Sequence, residues 1–207
     1  MAAQPALRDA VIVLAGGRSR RLGAHKLLLP LGDAPVIARS VHQALASGLR
    51  PVVVVVGHAS ERVSAALGGL PVSIALNAEY HEGIAASLRV GVAALDDAVD
   101  GAVITLGDQP LVPATHLAGL AAHARAVSAT IAATRYADHT GSPLYFGRQA
   151  FADLLRLTGD EGARALITSG AYAVAYLPLA EPDAALDIDT AEDYARVRRA
   201  WERRGER

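Results

Sequence analysis

The chain has 207 residues and a mass of 21.4 kDa, with 20 basic and 21 acidic side chains and a formal charge of −1. Near-neutral charge argues against a broad nucleic-acid footprint, and the lack of cysteine removes disulfides, thiolate nucleophiles, iron–sulfur clusters and cysteine–zinc centres. No apolar run reaches the roughly 18 residues that cross a bilayer and no secretory signal pattern opens the chain, so a single-domain, soluble, cytoplasmic protein is expected over residues 1–207.

The first predicted strand covers residues 11–14 and runs into a loop that holds Gly16, Gly17, Arg18, Arg20, Arg21 and Lys26. Glycines remove Cβ atoms where the chain turns, so backbone N–H groups can approach an anion. Guanidinium and ammonium groups beside them neutralise charge. Residues 14–26 therefore read as a phosphate loop. The spacing matches neither a Walker loop nor a dinucleotide fingerprint, since Lys26 is followed by Leu27 and no Gly-x-Gly-x-x-Gly occurs.

Helical spacing follows at Ile37, Val41, Ala44 and Leu45, punctuated by Gly48 and Pro51. Further strands are predicted at 52–56, 72–76, 102–106, 130–134, 144–146 and 172–177, with a helix through Leu117, Leu120, Ala121 and Ala124. The continuous valines at 52–56 predict burial on both sheet faces. A last helix carries Tyr194, Val197 and Trp201 on one packing face. Alternating strands and helices predict βαβ units around a mostly parallel sheet, a Rossmann-like α/β three-layer sandwich.

In such sheets ligands gather at the carboxyl ends of strands. Three polar clusters fall there: the glycine–arginine loop, the stretch from Asn77 to Ser87, and Gly107-Asp108-Gln109-Pro110. Asp108 is a hard oxygen ligand suited to Mg²⁺, which keeps several waters and takes one or two protein carboxylates plus phosphate oxygens. Asp187 and Asp189 precede the last helix and offer a further ligand, while Asp189 or Thr190 can instead cap that helix. The seven histidines are scattered and form no metal-binding pair.

Taken in order, LAGGRSRRLGAHKLLLPLG at 14–32, Asn77 with Glu82-Gly83 and Ser87, GDQP, Gly141-Ser142-Pro143, GDEGAR at 159–164 and DIDT at 187–190 resemble the molybdenum-cofactor nucleotidyltransferases. The resemblance runs through nearly the whole chain and is similar to the cytidylyltransferase branch, with the guanylyltransferase branch as its sister. It implies a nucleotide-diphospho-sugar-transferase-like fold and Mg²⁺-dependent transfer of CMP from CTP to the terminal phosphate of molybdopterin, with release of pyrophosphate. It further implies a molybdenum hydroxylase as the recipient protein, and neither nucleic acid nor membrane as a partner. By the same resemblance, the glycine loop falls on Ala15, Gly16 and Gly17, with Leu14 and Arg18 beside it among the nucleotide-binding residues, and Arg21 and Lys26 hold phosphate. Asp108 binds metal, with Asp187 or Asp189 as the second acid. Asn77, Gly83 and Ser87 hold base and ribose, and segments within about 135–170 face the pterin. The form Leu14-Ala15-Gly16-Gly17 matches the guanylyl branch, whereas His25 and Lys26-Leu27-Leu28-Leu29-Pro30 match the cytidylyl branch. A sugar-phosphate nucleotidyltransferase and a non-catalytic cofactor carrier are the alternatives.

Overall fold

The computed structural model describes residues 8–18, 22 and 24–205. Strand β1 (Asp9–Ala15) is buried along its whole length. It is followed by the short hairpin β2 (Pro30–Leu31) and β3 (Ala34–Pro35), then α1 (Val36–Ala46), β4 (Val52–Val56), α2 (Ser60–Ala65), β5 (Ser73–Leu76) and α3 (Ile84–Ala93). The second half contains β6 (Gly101–Leu106), α4 (Ala114–Ala126), β7 (Ile131–Arg135), β8 (Thr140–Gly147), α5 (Phe151–Leu154), α6 (Arg164–Thr168), β9 (Val174–Pro178) and α7 (Ala191–Gly205).

Seven strands form one sheet in the order β5-β4-β1-β6-β8-β7-β9. All pairings are parallel except those of β8, which runs against both β6 and β7. The sheet is thus mostly parallel, and the one reversed strand brings its start, rather than its end, to the rim where the others finish.

Side chains alternate across β1 with the two-residue period of a strand. Val11, Val13 and Ala15 pack with α1 and α4 on one face. Ala10, Ile12 and Leu14 pack with α3, α5 and α6 on the other. Helices cover both faces, which is why the valines of β4 are all buried. Fully burying a side chain such as Ile12 or Phe146 contributes about 1.5–3 kcal/mol. On α1, Val36, Ile37, Ser40, Val41 and Ala44 form the inward stripe, and the Ser40 hydroxyl donates to the Gly107 carbonyl at 2.8 Å. That bond ties α1 to the exit of β6. A third cluster joins α7 to the β2–β3 hairpin through Leu31, Ile188, Val197 and Ala200. Trp201 packs at its edge under the Arg39 guanidinium, 4.5 Å from the ring centre.

Candidate active site

The carboxyl ends of β1, β4, β5 and β6 share one rim of the sheet. There a cleft of about 310 Å³ opens, lined by Leu14, Ala15, Gly16 and Gly17 of the first loop, by Gly83, Ile84 and Ser87 of α3 and its approach, and by Lys26, Tyr80 and Asp108. Gly16 is buried because α3 comes close: a Cβ there would stand 3.0 Å from the Ser87 Oγ, whereas one on Gly17 would meet nothing within 4 Å. The close backbone approach expected of the glycine pair is thus a property of Gly16. Arg18 is exposed, and its guanidinium carbon lies 5.0 Å from the centre of the Tyr80 ring. Arg20 and Arg21 lie outside the described residues.

The far wall is organised by Asn77, which is 1% exposed. Its backbone N–H donates to Val56 O at 2.8 Å, its side-chain amide donates to Ser87 Oγ at 3.0 Å, and its side-chain oxygen accepts from the Glu79 N–H at 3.0 Å. Ser87 lines the cleft; Asn77 fixes where Ser87 stands. Gly83 then turns the chain into α3 with φ +104°, and Gly159 packs so close above it that the Ala85 N–H donates to Gly159 O at 3.2 Å. The segment 159–164 is therefore attached to the start of α3 beside the cleft. Residues 141–143 lie within β8, where the Tyr136 hydroxyl donates to Ser142 O at 2.6 Å.

At the mouth of the cleft two acids grip one lysine, with a third close enough to feel their charge. Lys26 begins a short 3-10 turn after the loop, and its Nζ lies 2.5 Å from Asp108 Oδ2 and 2.9 Å from Asp189 Oδ1. Burial alone would lower the lysine pKa, but the charges and hydrogen bonds of Asp108 and Asp189 outweigh it and raise the pKa above its ordinary value. Asp108 is placed by Gly107, whose N–H donates to Leu14 O at 2.9 Å. A Cβ on Gly107 would come within 2.8 Å of Ile37 Cδ1. Asp189 is left to face Lys26 because Thr190 caps α7: the Asp193 N–H donates to Thr190 Oγ1 at 3.2 Å, and the Thr190 N–H donates back to the Asp193 carboxylate at 3.0 Å. Partial desolvation, and next the negative charges of Asp108 and Asp189, push the Asp187 carboxyl above the usual carboxylate range.

Asp187 also lines a second cavity of about 710 Å³ on the same rim, walled by the β7–β8 turn with Tyr136 and His139 and by residues 178–186. The Tyr136 and His139 rings stack there with centres 4.8 Å apart. Among the described residues no group of three or more His, Asp or Glu side chains closes around a point as a ready metal cage. Two carboxylates already converge on the single Lys26 nitrogen, an arrangement suited to a cation that takes its remaining ligands from phosphate and water.

The family described as the MobA-like NTP transferase domain matches residues 11–174. The chain belongs to the MobA-like nucleotidyltransferases. As a MobA-like enzyme it is 36% identical over 198 residues to the purine catabolism protein PucB of Bacillus subtilis, covering 91% of this chain and 95% of PucB. The crystal structure of Rv0371c from Mycobacterium tuberculosis H37Rv superposes with a TM-score of 0.84 at 36% identity, covering 94% of this chain and 99% of that one. A manganese complex of Rv0371c superposes with a TM-score of 0.80 at 31% identity, covering 93% and 99%. The MobA-like match takes in both glycine loop and Asp108 but stops before Asp187 and Asp189. Tyr80 and the second cavity have no signature in the sequence, because an aromatic between two polar clusters carries no motif of its own.

Proposed function

We propose that this chain transfers CMP from CTP to the terminal phosphate of molybdopterin and releases pyrophosphate, with Mg²⁺ as the metal, in the cytoplasm. The observation that carries the proposal is Lys26 held between Asp108 and Asp189 at the mouth of a cleft whose floor is a glycine loop. In the reaction an oxygen of the acceptor phosphate attacks the α-phosphorus of the nucleotide. The bond from that phosphorus to the bridging oxygen breaks, and its electron pair leaves with pyrophosphate. A phosphate monoester has a second pKa of about 6, so the attacking oxygen is already largely ionised and needs no general base. The remaining tasks are alignment of two mutually repelling anions and neutralisation of charge on the leaving group.

The residues divide between those tasks. Leu14, Ala15, Gly16, Gly17 and Arg18 line and flank the triphosphate side, with Arg21 as a further cation of the loop. Gly83 and Ser87 face base and ribose, supported by Asn77. Lys26 neutralises the leaving phosphates. Asp108, with Asp189 and Asp187, would hold Mg²⁺, which supplies further charge neutralisation when bound. A divalent cation is supported by Asp187, whose carboxylate is disfavoured first by partial burial and then by its two acidic neighbours, a cost that added positive charge relieves. The second cavity shares Asp187 and provides the acceptor side, within the 135–170 part of the chain and the residues that follow it. The finished cofactor would pass to a molybdenum hydroxylase as its recipient.

A second reading, GMP transfer from GTP, is favoured by Gly16. The missing Cβ leaves open the space in front of Ser87 Oγ, which enlarges the base side of the cleft. The deciding experiment supplies CTP, GTP or ATP with molybdopterin, or with a sugar phosphate in its place, and identifies the product by mass. A cytidylylated pterin supports the first reading and a guanylylated one the second. A nucleotide-sugar, or pterin bound without pyrophosphate release, overturns both.

A further inference from the structure

Along the outer wall of the cleft runs a ladder of side chains, of which the proposed transfer gives a role to Arg18 alone and none to Tyr80, His58 or His25. The Arg18 guanidinium lies over the Tyr80 ring at 5.0 Å. The His58 ring meets Tyr80 edge-on, with centres 6.0 Å apart and planes at 69°. His58 and His25 are stacked, with centres 5.4 Å apart and planes within 3°. The His25 Nε2 faces the His58 carbonyl at 3.1 Å, so that nitrogen carries the proton and donates. Gly57 makes room for the ladder, since a Cβ there would stand 2.6 Å from the Tyr80 Cβ.

These contacts join three loops. Arg18 and His25 belong to the loop after β1, His58 to the loop after β4, and Tyr80 to the 3-10 turn after β5. His25 is the residue before Lys26, so the ladder reaches from the cation at the front of the glycine loop to the corner that carries the cation at its end. Two separated cations that must grip one polyanion bind it more tightly when their backbone is ordered beforehand.

We infer that Tyr80 is a positioning residue for the triphosphate: its ring holds Arg18 beside the cleft and, through His58 and His25, steadies the corner that presents Lys26. The inference rests on the reading of the cleft as the nucleotide side. It makes the aromatic ring, rather than the hydroxyl, the necessary part, because neither the cation contact nor the edge contact uses the oxygen.

The test measures dissociation constants of the full chain for CTP, GTP, ATP and inorganic tripolyphosphate, alongside steady-state kinetics and the melting temperature. Removing the ring in Tyr80→Ala should weaken tripolyphosphate and the preferred nucleotide alike, by about fivefold, the factor carried by one cation–π contact of this kind. The KM for nucleotide should rise by the same factor, with kcat and the acceptor KM within about twofold. Tyr80→Phe should restore binding. Arg18→Ala should weaken binding in the parent protein and have little further effect in the Tyr80→Ala protein, the signature of two residues acting as one unit. Weakening confined to nucleotides, with tripolyphosphate unaffected, would make Tyr80 a base-stacking residue and overturn the inference. Additive effects of the two substitutions, or failure of phenylalanine to rescue, would overturn it as well. Preference for GTP over CTP in the same panel bears only on the choice of nucleotide, so the two failures are distinguishable. Absence of binding by any triphosphate to the parent protein would overturn both.

Discussion

Lys26 Nζ and Asp108 Oδ2 stand 2.5 Å apart across the mouth of the cleft, one from the loop after β1 and the other from the turn after β6. Each charge is held in place by the other. In the proposed transfer Lys26 neutralises the leaving phosphates and Asp108 would hold the metal, so alanine at either position removes one of those two roles. Lys26→Ala and Asp108→Ala should each lower kcat by about 100-fold or more, with an unchanged far-ultraviolet circular dichroism spectrum. Near-parental turnover in either purified variant would remove these two residues from the reaction.

Asp187 should behave oppositely in stability and in activity. Its folded-state pKa is raised, so the folded protein holds that proton more tightly than the unfolded chain. Ionisation therefore costs stability as pH rises through and above the usual carboxylate range. Asp187→Asn should melt at a higher temperature than the parent at pH 7 without metal, and the advantage should vanish below about pH 4, where both forms are neutral. Added Mg²⁺ should raise the melting temperature of the parent more than that of the variant. Activity of the variant should fall. A lower melting temperature at pH 7 would contradict the charge crowding.

Gly16→Ala places a methyl group 3.0 Å from Ser87 Oγ, so the hydroxyl that Asn77 holds must give way by a few tenths of an ångström. The base side becomes narrower and loses an aligned hydroxyl. The ratio of kcat/KM for CTP over GTP should rise by about tenfold, the scale on which a single methyl group discriminates. Competition kinetics with both nucleotides present would measure it, and an unchanged ratio would show that Gly16 does not set the base.

His116 gives a pH dependence of a different kind. It is 7% exposed, and its Nε2 lies 2.9 Å from Thr134 Oγ1, which in turn donates to Pro143 O at 2.7 Å. Burial lowers the histidine pKa from 6.5 to about 4. Between those values the unfolded chain binds a proton that the folded protein does not, so stability is complete above about pH 6.5 and declines as the pH falls. The loss should reach about 2–3 kcal/mol near pH 4. Denaturant titrations of the parent and His116→Gln at several pH values should show a flatter profile in the variant.

At the opposite end of the sheet, Arg125 pairs with the Asp9 carboxylate, whose side chain is 2% exposed and also accepts from the Tyr145 hydroxyl at 3.1 Å. Arg125→Ala strands that buried charge. Unfolding free energy should drop by about 3 kcal/mol, the low end for a broken buried pair because the guanidinium is partly open to water. Nucleotide KM should not change, and a variant as stable as the parent would show that Asp9 is accommodated without its partner.

Much of the architecture is legible in local patterns. The valines at 52–56 form β4 with the same limits, and the apolar run at 11–14 forms the core of the longer β1. The reversal of β8 is not legible, because Leu144, Tyr145 and Phe146 would be buried in either direction; only the short turn from β7 imposes the antiparallel pairing. Helix α3 is hidden by the polar stretch that leads into it after residue 77, and its start is fixed by contact between Gly83 and Gly159, remote in sequence. Within the site, the glycine loop and Asp108 announce themselves by type and spacing. The meeting of Lys26 with Asp189 does not, for it requires α7 to fold back onto the β2–β3 hairpin. Thr190 and Asp189 are both capping candidates by residue type, and the reciprocal bonds with Asp193 assign the task to Thr190.

Strand β1 begins at Asp9, in the buried charge pair, and ends at Ala15, beside the glycine loop, a span of about 20 Å. Folding insurance and chemistry are thus lodged at opposite poles of a single seven-residue rod. Inherited variation at one pole will show itself as scarce protein with ordinary kinetics, and variation at the other as plentiful protein that is idle.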